Sequence, residues 1–392
     1  MVFDTIFLQA DGGFGSIIWF VLFFVFIFIY PRLMLSQLIY KIDQSARKME
    51  QMSKNANIIV AKKVTSNPSK ELKNKILEIT DFFVIEPSSI DPYGIVKKID
   101  QLIRQMEGRF EEFTQTIARG QSKEKRQELN YGLRAAISLR QLSKIVRHNV
   151  ELAKKFKNLQ IAMLIQMQLP IIEKIAESEL KGTEAFVKGL PVGDSIGPLA
   201  SASMMDKSKE IAEDVVMGET KIAGRKCFVL KATGPTPHLG RTDEALVKIM
   251  RRHKIDRIIT IDAAQKLEGE KTGSVAEGVG FAMGGMQREI NENILLPSKK
   301  PIDSIVVKVG FTEAIMPMKK EIYNSLPKVQ KRVETAVKRT KKNGKIIIIG
   351  VGNSCGIGDS KKELRGLEKV IKTIDHAYKK EQQLKKKKKR WF

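Results

Sequence analysis

The chain has 392 residues, with 69 Lys and Arg against 44 Asp and Glu for a net charge of +25, and only two cysteines. That length gives room for two ordinary domains, and two cysteines exclude a disulfide framework and are too few for a zinc site by themselves. The positive excess calls for anionic partners: lipid headgroups, at about 1 kcal/mol per basic residue near a membrane surface, or RNA or a ribosome through phosphate neutralisation.

The run from Gly12 to Pro31 is charge-free and dense in Phe, Ile, Val and Leu. At about 1.5 Å per residue it can cross a hydrocarbon core of about 30 Å, which predicts a transmembrane helix. A cleaved signal peptide would carry basic residues ahead of the run, whereas Asp4 and Asp11 stand there with no Lys or Arg. Arg32, Lys41, Arg47 and Lys48 follow, so the positive-inside rule puts the N-terminus outside and the rest in the cytoplasm. From Leu33 to about Asn55 the helix runs on, with Ile39, Ile42, Ala46 and Met49 at helical steps, as one face of a coiled coil or a stripe packed on other helices. A tethered homo-oligomer is one outcome of the first arrangement.

Between Pro68 and Lys188 the pattern is helical throughout. A helix begins with Pro68 in its first turn, and a second begins near Asp91-Pro92 with Ile95, Ile99, Leu102, Ile103 and Met106 on one face. A break at Gly120 precedes long patterns from Glu124 to Phe156 and from Leu159 to Phe186. The charge-free segment Ile161 to Ile172 is too short for a second crossing and reads as the buried centre of a bundle.

At Gly189 the character changes. Runs rich in Ile and Val at Lys226–Lys231, Arg257–Asp262, Ser304–Val309 and Lys345–Gly350 alternate with helical patterns at Thr242–His253, Thr312–Lys341 and Lys361–Lys380. The fold class is therefore α/β: an N-terminal transmembrane helix, a helical bundle, then a mostly parallel sheet covered by helices. The boundaries are a leader and transmembrane helix over 1–36, a juxtamembrane helix and linker over 37–66, a helical domain over 67–188, the α/β domain over 189–380 and a polybasic tail over 381–392. The tail has six consecutive cations, Lys385 to Arg390, then Trp391 and Phe392, a composition suited to anionic lipid at an interface.

Ligands of such sheets bind beyond the carboxyl ends of the strands. Glycine-rich loops fall there: Gly193, Gly197, Gly240 with Arg241, Lys271 in its polar run, Gly280, and Gly350, Gly352 and Asn353 are the candidate ligand-binding residues. Asp194 and Asp262 are the candidate catalytic carboxylates, since like charges held close push one pKa up and leave the other ionised. Alternatively they bind a divalent cation, with Glu268 or Glu270 completing the oxygen ligands. A purely structural role stays open for each: Asp194 as a helix N-cap, Asp262 as a turn residue or the partner of a buried Lys. Cys355 has no base near it in sequence to make it a nucleophile.

Gly189-Leu-Pro-Val-Gly-Asp194-Ser-Ile-Gly-Pro198, Thr260-Ile-Asp262-Ala and Glu277-Gly-Val-Gly280 together resemble an archaeal membrane-anchored family of unknown function, over nearly the whole chain. More distantly, Asp194 before Gly197-Pro198, Asp262 at a strand end, and Gly350-Val-Gly-Asn353 resemble the germination proteases and hydrogenase maturation peptidases. That second resemblance implies a peptidase-like fold in which the Gly-x-Gly-Asn strand, first in those enzymes, is last here, as a circular permutation would give. It also implies Asp359 as an alternative first acidic residue and metal ligand, and His238 as the candidate for the maturation peptidases' metal-binding histidine. Two functional classes follow. One is a membrane-tethered hydrolase with a paired-carboxylate or metal-carboxylate site; the other is a non-catalytic tether that binds ribosomes, nucleic acid or anionic lipid, with a small phosphorylated ligand in the glycine loops.

Overall fold

The structure is a computed structural model that describes residues 14–82, 94–280, 294–295 and 298–389. The leader with Asp4 and Asp11, the helix start at Asp91-Pro92 and the terminal Trp391-Phe392 lie outside the described residues. Five helices open the chain: α1 (Phe14–Val64), α2 (Lys70–Ile79), α3 (Ile95–Ile117), α4 (Lys123–Phe156) and α5 (Leu159–Lys188). The chain divides into two compact units, one made of Met1–Lys54 and Leu139–Ala176, the other of Asn55–Ser138 and Glu177–Phe392. The divisions therefore fall inside α1, α4 and α5 rather than where the composition changes.

In the first unit, Ile18 to Tyr30 are each 44–66% exposed, and α1 is long and apolar enough to cross a membrane. Further along, Ile42, Ala46 and Met49 are fully buried where hydrogen bonds tie α1 to α4 and α5, in keeping with a stripe packed on neighbouring helices. Polar clamps hold the three helices in register. Asp43 accepts from Arg147 at 2.6 Å and Lys154 at 3.0 Å, Arg147 also reaches Glu50 at 2.6 Å, and Glu173 accepts from Ser45 at 2.5 Å and Lys48 at 2.9 Å. The Arg47 guanidinium first, with Lys154 and Arg147, holds the Asp43 carboxyl well below the usual range despite its burial.

The segment Ile161 to Ile172 is not the centre of a bundle. Ala162 and Leu169 are buried, but Leu164 is 60%, Met167 74% and Ile171 64% exposed. A helix lying on two neighbours buries one stripe, and here the outer face is apolar as well. By length and hydropathy α5 too could cross a membrane, a test that a buried core helix also passes.

In the second unit, Ser69 caps α2 by accepting from Leu72 N at 3.1 Å, so Pro68 sits ahead of the helix rather than in its first turn. After α5, a single turn at Gly193–Ser195 leads into α6 (Ile196–Ala202). Then come β1 (Lys209–Ala212), β2 (Val215–Ile222), β3 (Arg225–Ala232), α7 (Thr242–Arg252), β4 (Arg257–Gln265), β5 (Val275–Val279), β6 (Ile302–Val309), α8 (Lys320–Tyr323), α9 (Leu326–Lys338), β7 (Lys345–Gly350) and α10 (Leu367–Lys389). The seven strands lie in the order β1-β2-β3-β7-β4-β6-β5. The central four, β3, β7, β4 and β6, are parallel, whereas β1, β2 and β5 pair antiparallel, so the sheet is mixed rather than mostly parallel.

Helix α6, α9 and the start of α10 cover one face through Ile196, Leu199, Val333, Val337 and Ile371. Helix α7 covers the other through Ala245, Leu246 and Ile249. The expected helix from Thr312 to Lys341 is interrupted, because Pro317 lies in an extended segment and Ser325-Leu326-Pro327 restarts the helix with proline in its first turn. The helix expected at Lys361 begins only at Leu367, after Gly366 at φ +93°.

Candidate active site

Because β3, β7, β4 and β6 are parallel, the loops that follow them open on one edge of the sheet. Across that edge runs the segment Pro191 to Ser195. Val192 bridges Pro317, Met318 N donates to Pro191 O at 2.7 Å, Gly193 N to Met316 O at 3.1 Å and Asp194 N to Ala314 O at 2.8 Å, all within the loop after β6. On its other side the segment meets the loop after β7, where Asn353 N donates to Asp194 Oδ2 at 2.7 Å. Strand β4 lies between β7 and β6, and Asp262 stands near its end. Asp194 is thus strapped over the edge at which Asp262 emerges.

The two carboxyls sense each other. Burial pushes Asp262 well above the usual carboxylate range and the Asp194 charge pushes it further, against a bond from Ala263 N to its Oδ1 at 2.7 Å. Burial also raises Asp194, opposed by the Asn353 N–H. Both carboxyls are therefore raised, and the backbone donor on Asp194 favours its charged form while the Asp194 charge disfavours ionisation of Asp262.

The glycines of this edge bring backbones into contact. A Cβ on Gly197 would lie 2.1 Å from Val351 O and 2.5 Å from Ile261 O; on Gly350, 2.3 Å from Gly197 O; on Gly193, 2.2 Å from Glu313 O; and on Gly352, at φ +119°, 2.2 Å from Asp194 O. The space expected for a ligand at Gly193, Gly197 and Gly350 is filled by protein, and what these residues do is seat the strap and α6 on the ends of β4 and β7. Asn353 is buried, with its side-chain oxygen turned to Cys355 N at 2.9 Å. Lys271 is exposed on the loop after β4, beside an open cavity of about 550 Å³ that Glu313 and Lys319 also line.

Other expected members are engaged elsewhere. Gly280 follows β5, which runs antiparallel to β6, and its N–H meets Ile302 O at 3.0 Å at the start of β6, so it lies at the opposite edge of the sheet. Arg241 is held by Asp100 at 2.5 Å and Asp243 at 3.3 Å, and Gly240, at φ +71°, packs on Asp214 O. Asp359 pairs with the fully buried Lys231 and accepts from Gly234 N at 2.8 Å. His238 is buried with Nδ1 3.6 Å from Asp214, and burial lowers its pKa to about 4. Glu268 is exposed and Glu270 accepts from Leu267 N at 2.7 Å. Among the described residues no three His, Cys, Asp or Glu side chains converge as a metal site, so the donors expected to join Asp194 and Asp262 do not complete one. Cys355 is buried and burial pushes its thiol pKa up, which leaves it a poor nucleophile.

Two residues that sequence reasoning passed over organise the edge. Lys231 ends the apolar run Cys227-Phe-Val-Leu, and a cation at the end of a buried strand was the available signal. Glu313 accepts from Thr272 at 2.8 Å, Gly310 N at 2.7 Å and Lys319 at 2.6 Å, tying the loops after β4 and β6 together; nothing local in the sequence marks it.

Compared with known families, residues 16–189 match the N-terminal domain, and residues 192–358 the C-terminal domain, of a protein family of unknown function, DUF1512. The chain belongs to this family. The junction of the two DUF1512 domains, at 189–192, coincides with the change of composition at Gly189 and with the start of the strap. No curated protein and no solved structure matches the chain.

Proposed function

We propose that this DUF1512 protein is anchored in a membrane by α1, with its N-terminus outside, and that its cytoplasmic α/β domain is a hydrolase acting through the Asp194–Asp262 pair. The observation that supports the reading is the strap: the segment that carries Asp194 is bonded to the loops after β6 and β7, the strands on either side of β4, near whose end Asp262 stands. A fold has little structural reason to hold two acids so that each raises the cost of ionising the other. In the proposed reaction Asp194 takes a proton from a water, the water oxygen bonds to a substrate carbonyl carbon, and Asp262 gives its proton to the departing group as the bond between that group and the carbonyl carbon breaks. The pair finishes with its proton exchanged between members and is reset by water.

The likeness to the germination and maturation peptidases supports an amide as the bond cleaved. The test is turnover of a peptide mixture by the full chain in detergent, followed by mass spectrometry, beside Asp194→Asn and Asp262→Asn. Loss of about 10²-fold or more in each variant, with unchanged circular dichroism, is expected. Equal cleavage by all three proteins, or cleavage by none, overturns the assignment.

A further inference from the structure

The α4–α5 hairpin carries a surface that neither the fold nor the proposed chemistry uses. Its turn is Lys157-Asn158, with Lys157 at φ 47° and Asn158 Oδ1 accepting from Gln160 N at 2.8 Å and Ile161 N at 3.2 Å. Lys155, Phe156 and Lys157 are exposed at this tip, and Met163, Leu164 and Met167 continue an exposed apolar face on α5.

The clamps of the first unit fix the height of that tip against α1. Asp43 meets Lys154 and Glu173 meets Ser45 and Lys48, so α4 runs back along α1 towards its apolar end and α5 returns beside it. From Glu173 to Leu159 is 14 residues, about 21 Å of helix. The same rise along α1 ends at Pro31 from Ser45 and at Met34 from Lys48, within a turn of where the apolar run stops. The cytoplasmic side of this unit, residues 32–54 and 139–176, carries twelve Lys and Arg against four Asp and Glu.

We infer that the hairpin tip, Lys155 to Leu164, is a second membrane contact, seated in the headgroup layer of an anionic leaflet with Phe156 and Leu164 among the headgroups and Lys155 and Lys157 on lipid phosphates. An apolar face flanked by lysines at the depth where a bilayer surface lies is complementary to anionic lipid in both charge and polarity. The surface rests on the reading of α1 as a membrane anchor, but not on the proposed catalysis. It would fix the rotation of the three-helix unit about α1, which a single span leaves free.

The test uses the full chain reconstituted in vesicles of phosphatidylcholine with about one third phosphatidylglycerol. Phe156→Cys and Leu164→Cys are labelled with an environment-sensitive fluorophore; Cys227 and Cys355 are buried and stay unlabelled. Lys174→Cys, ten residues beyond Leu164, is the aqueous control. Flotation with the vesicles reports α1, and the label reports the hairpin. Expected are blue-shifted emission and quenching by nitroxide-bearing lipid at 156 and 164 but not at 174, reduced at least about threefold by Lys155→Glu with Lys157→Glu or by neutral vesicles. A chain that floats while both labels answer only to aqueous iodide overturns the inference and leaves the anchor standing. Labels hidden from both quenchers, with thiol cross-linking between copies at 164, overturn it in favour of a self-association face. A chain that does not float removes the anchor and this contact together.

Discussion

Asp262 shows how a side chain reports its use through its cost. Its raised pKa means that the folded chain holds the proton more tightly than the unfolded chain, so stability falls as pH rises from the ordinary carboxylate range through the raised value, and the cost is fully present above it. Asp262→Asn should therefore raise Tm on the alkaline side by roughly 2–4 °C, the shift about 1 kcal/mol gives in a domain of this size, and leave it unchanged in acid. A thermal melt series across pH checks this; a variant less stable at every pH would make Asp262 a structural acid. Lys231 and Asp359 are the contrasting case of a buried pair that is satisfied. Lys231→Met should cost about 3–5 kcal/mol by leaving Asp359 unpaired, and Lys231→Met with Asp359→Asn should regain most of it in urea denaturation.

Among the elements, the short helix α6 and the strap ahead of it decide whether the pair exists. Gly197 lets α6 start directly on the ends of β4 and β7, and a methyl group there would have to displace the carbonyls of Val351 and Ile261. We expect Gly197→Ala to cost on the order of 2–4 kcal/mol in chemical denaturation and to lose turnover even at temperatures where the domain stays folded. In the first unit the critical element is the Asp43 clamp. Its depressed carboxyl contributes stability that is present above the ordinary carboxylate range and is lost as pH falls through the lowered value, so Asp43→Asn should flatten the acid limb of that unit's unfolding, read by hydrogen exchange in α4 and α5.

For the molecule as a whole, charge and hydropathy sort the chain between bilayer and water. Deletion of residues 1–31 should release the chain from washed membranes into a form that still adheres to anionic vesicles and leaves them at high salt, whereas the full chain should resist both washes. Sedimentation with and without salt distinguishes the two. Retention of the truncated chain at high salt would mean that α5, with its exposed Leu164, Met167 and Ile171, inserts rather than adheres.

Periodicity and hydropathy alone determined the apolar helix α1, the helical character of α2 to α5 apart from their ends, the strands β3, β4, β6 and β7, and the place of Asp262 near the end of β4, because each depends on neighbours within a few residues. They did not reveal β1, β2 or β5, whose half-exposed faces lack a continuous apolar run, nor that Gly280 lies at the far edge, since an antiparallel strand reverses which end a loop belongs to. That Gly197 and Gly350 face each other, that Asp359 is taken by Lys231, and that the charge-free stretch of α5 is exposed were decided only by tertiary packing. A glycine, an aspartate or an apolar turn has the same local preferences in either setting; what occupies the space beside it comes from residues far away in the chain.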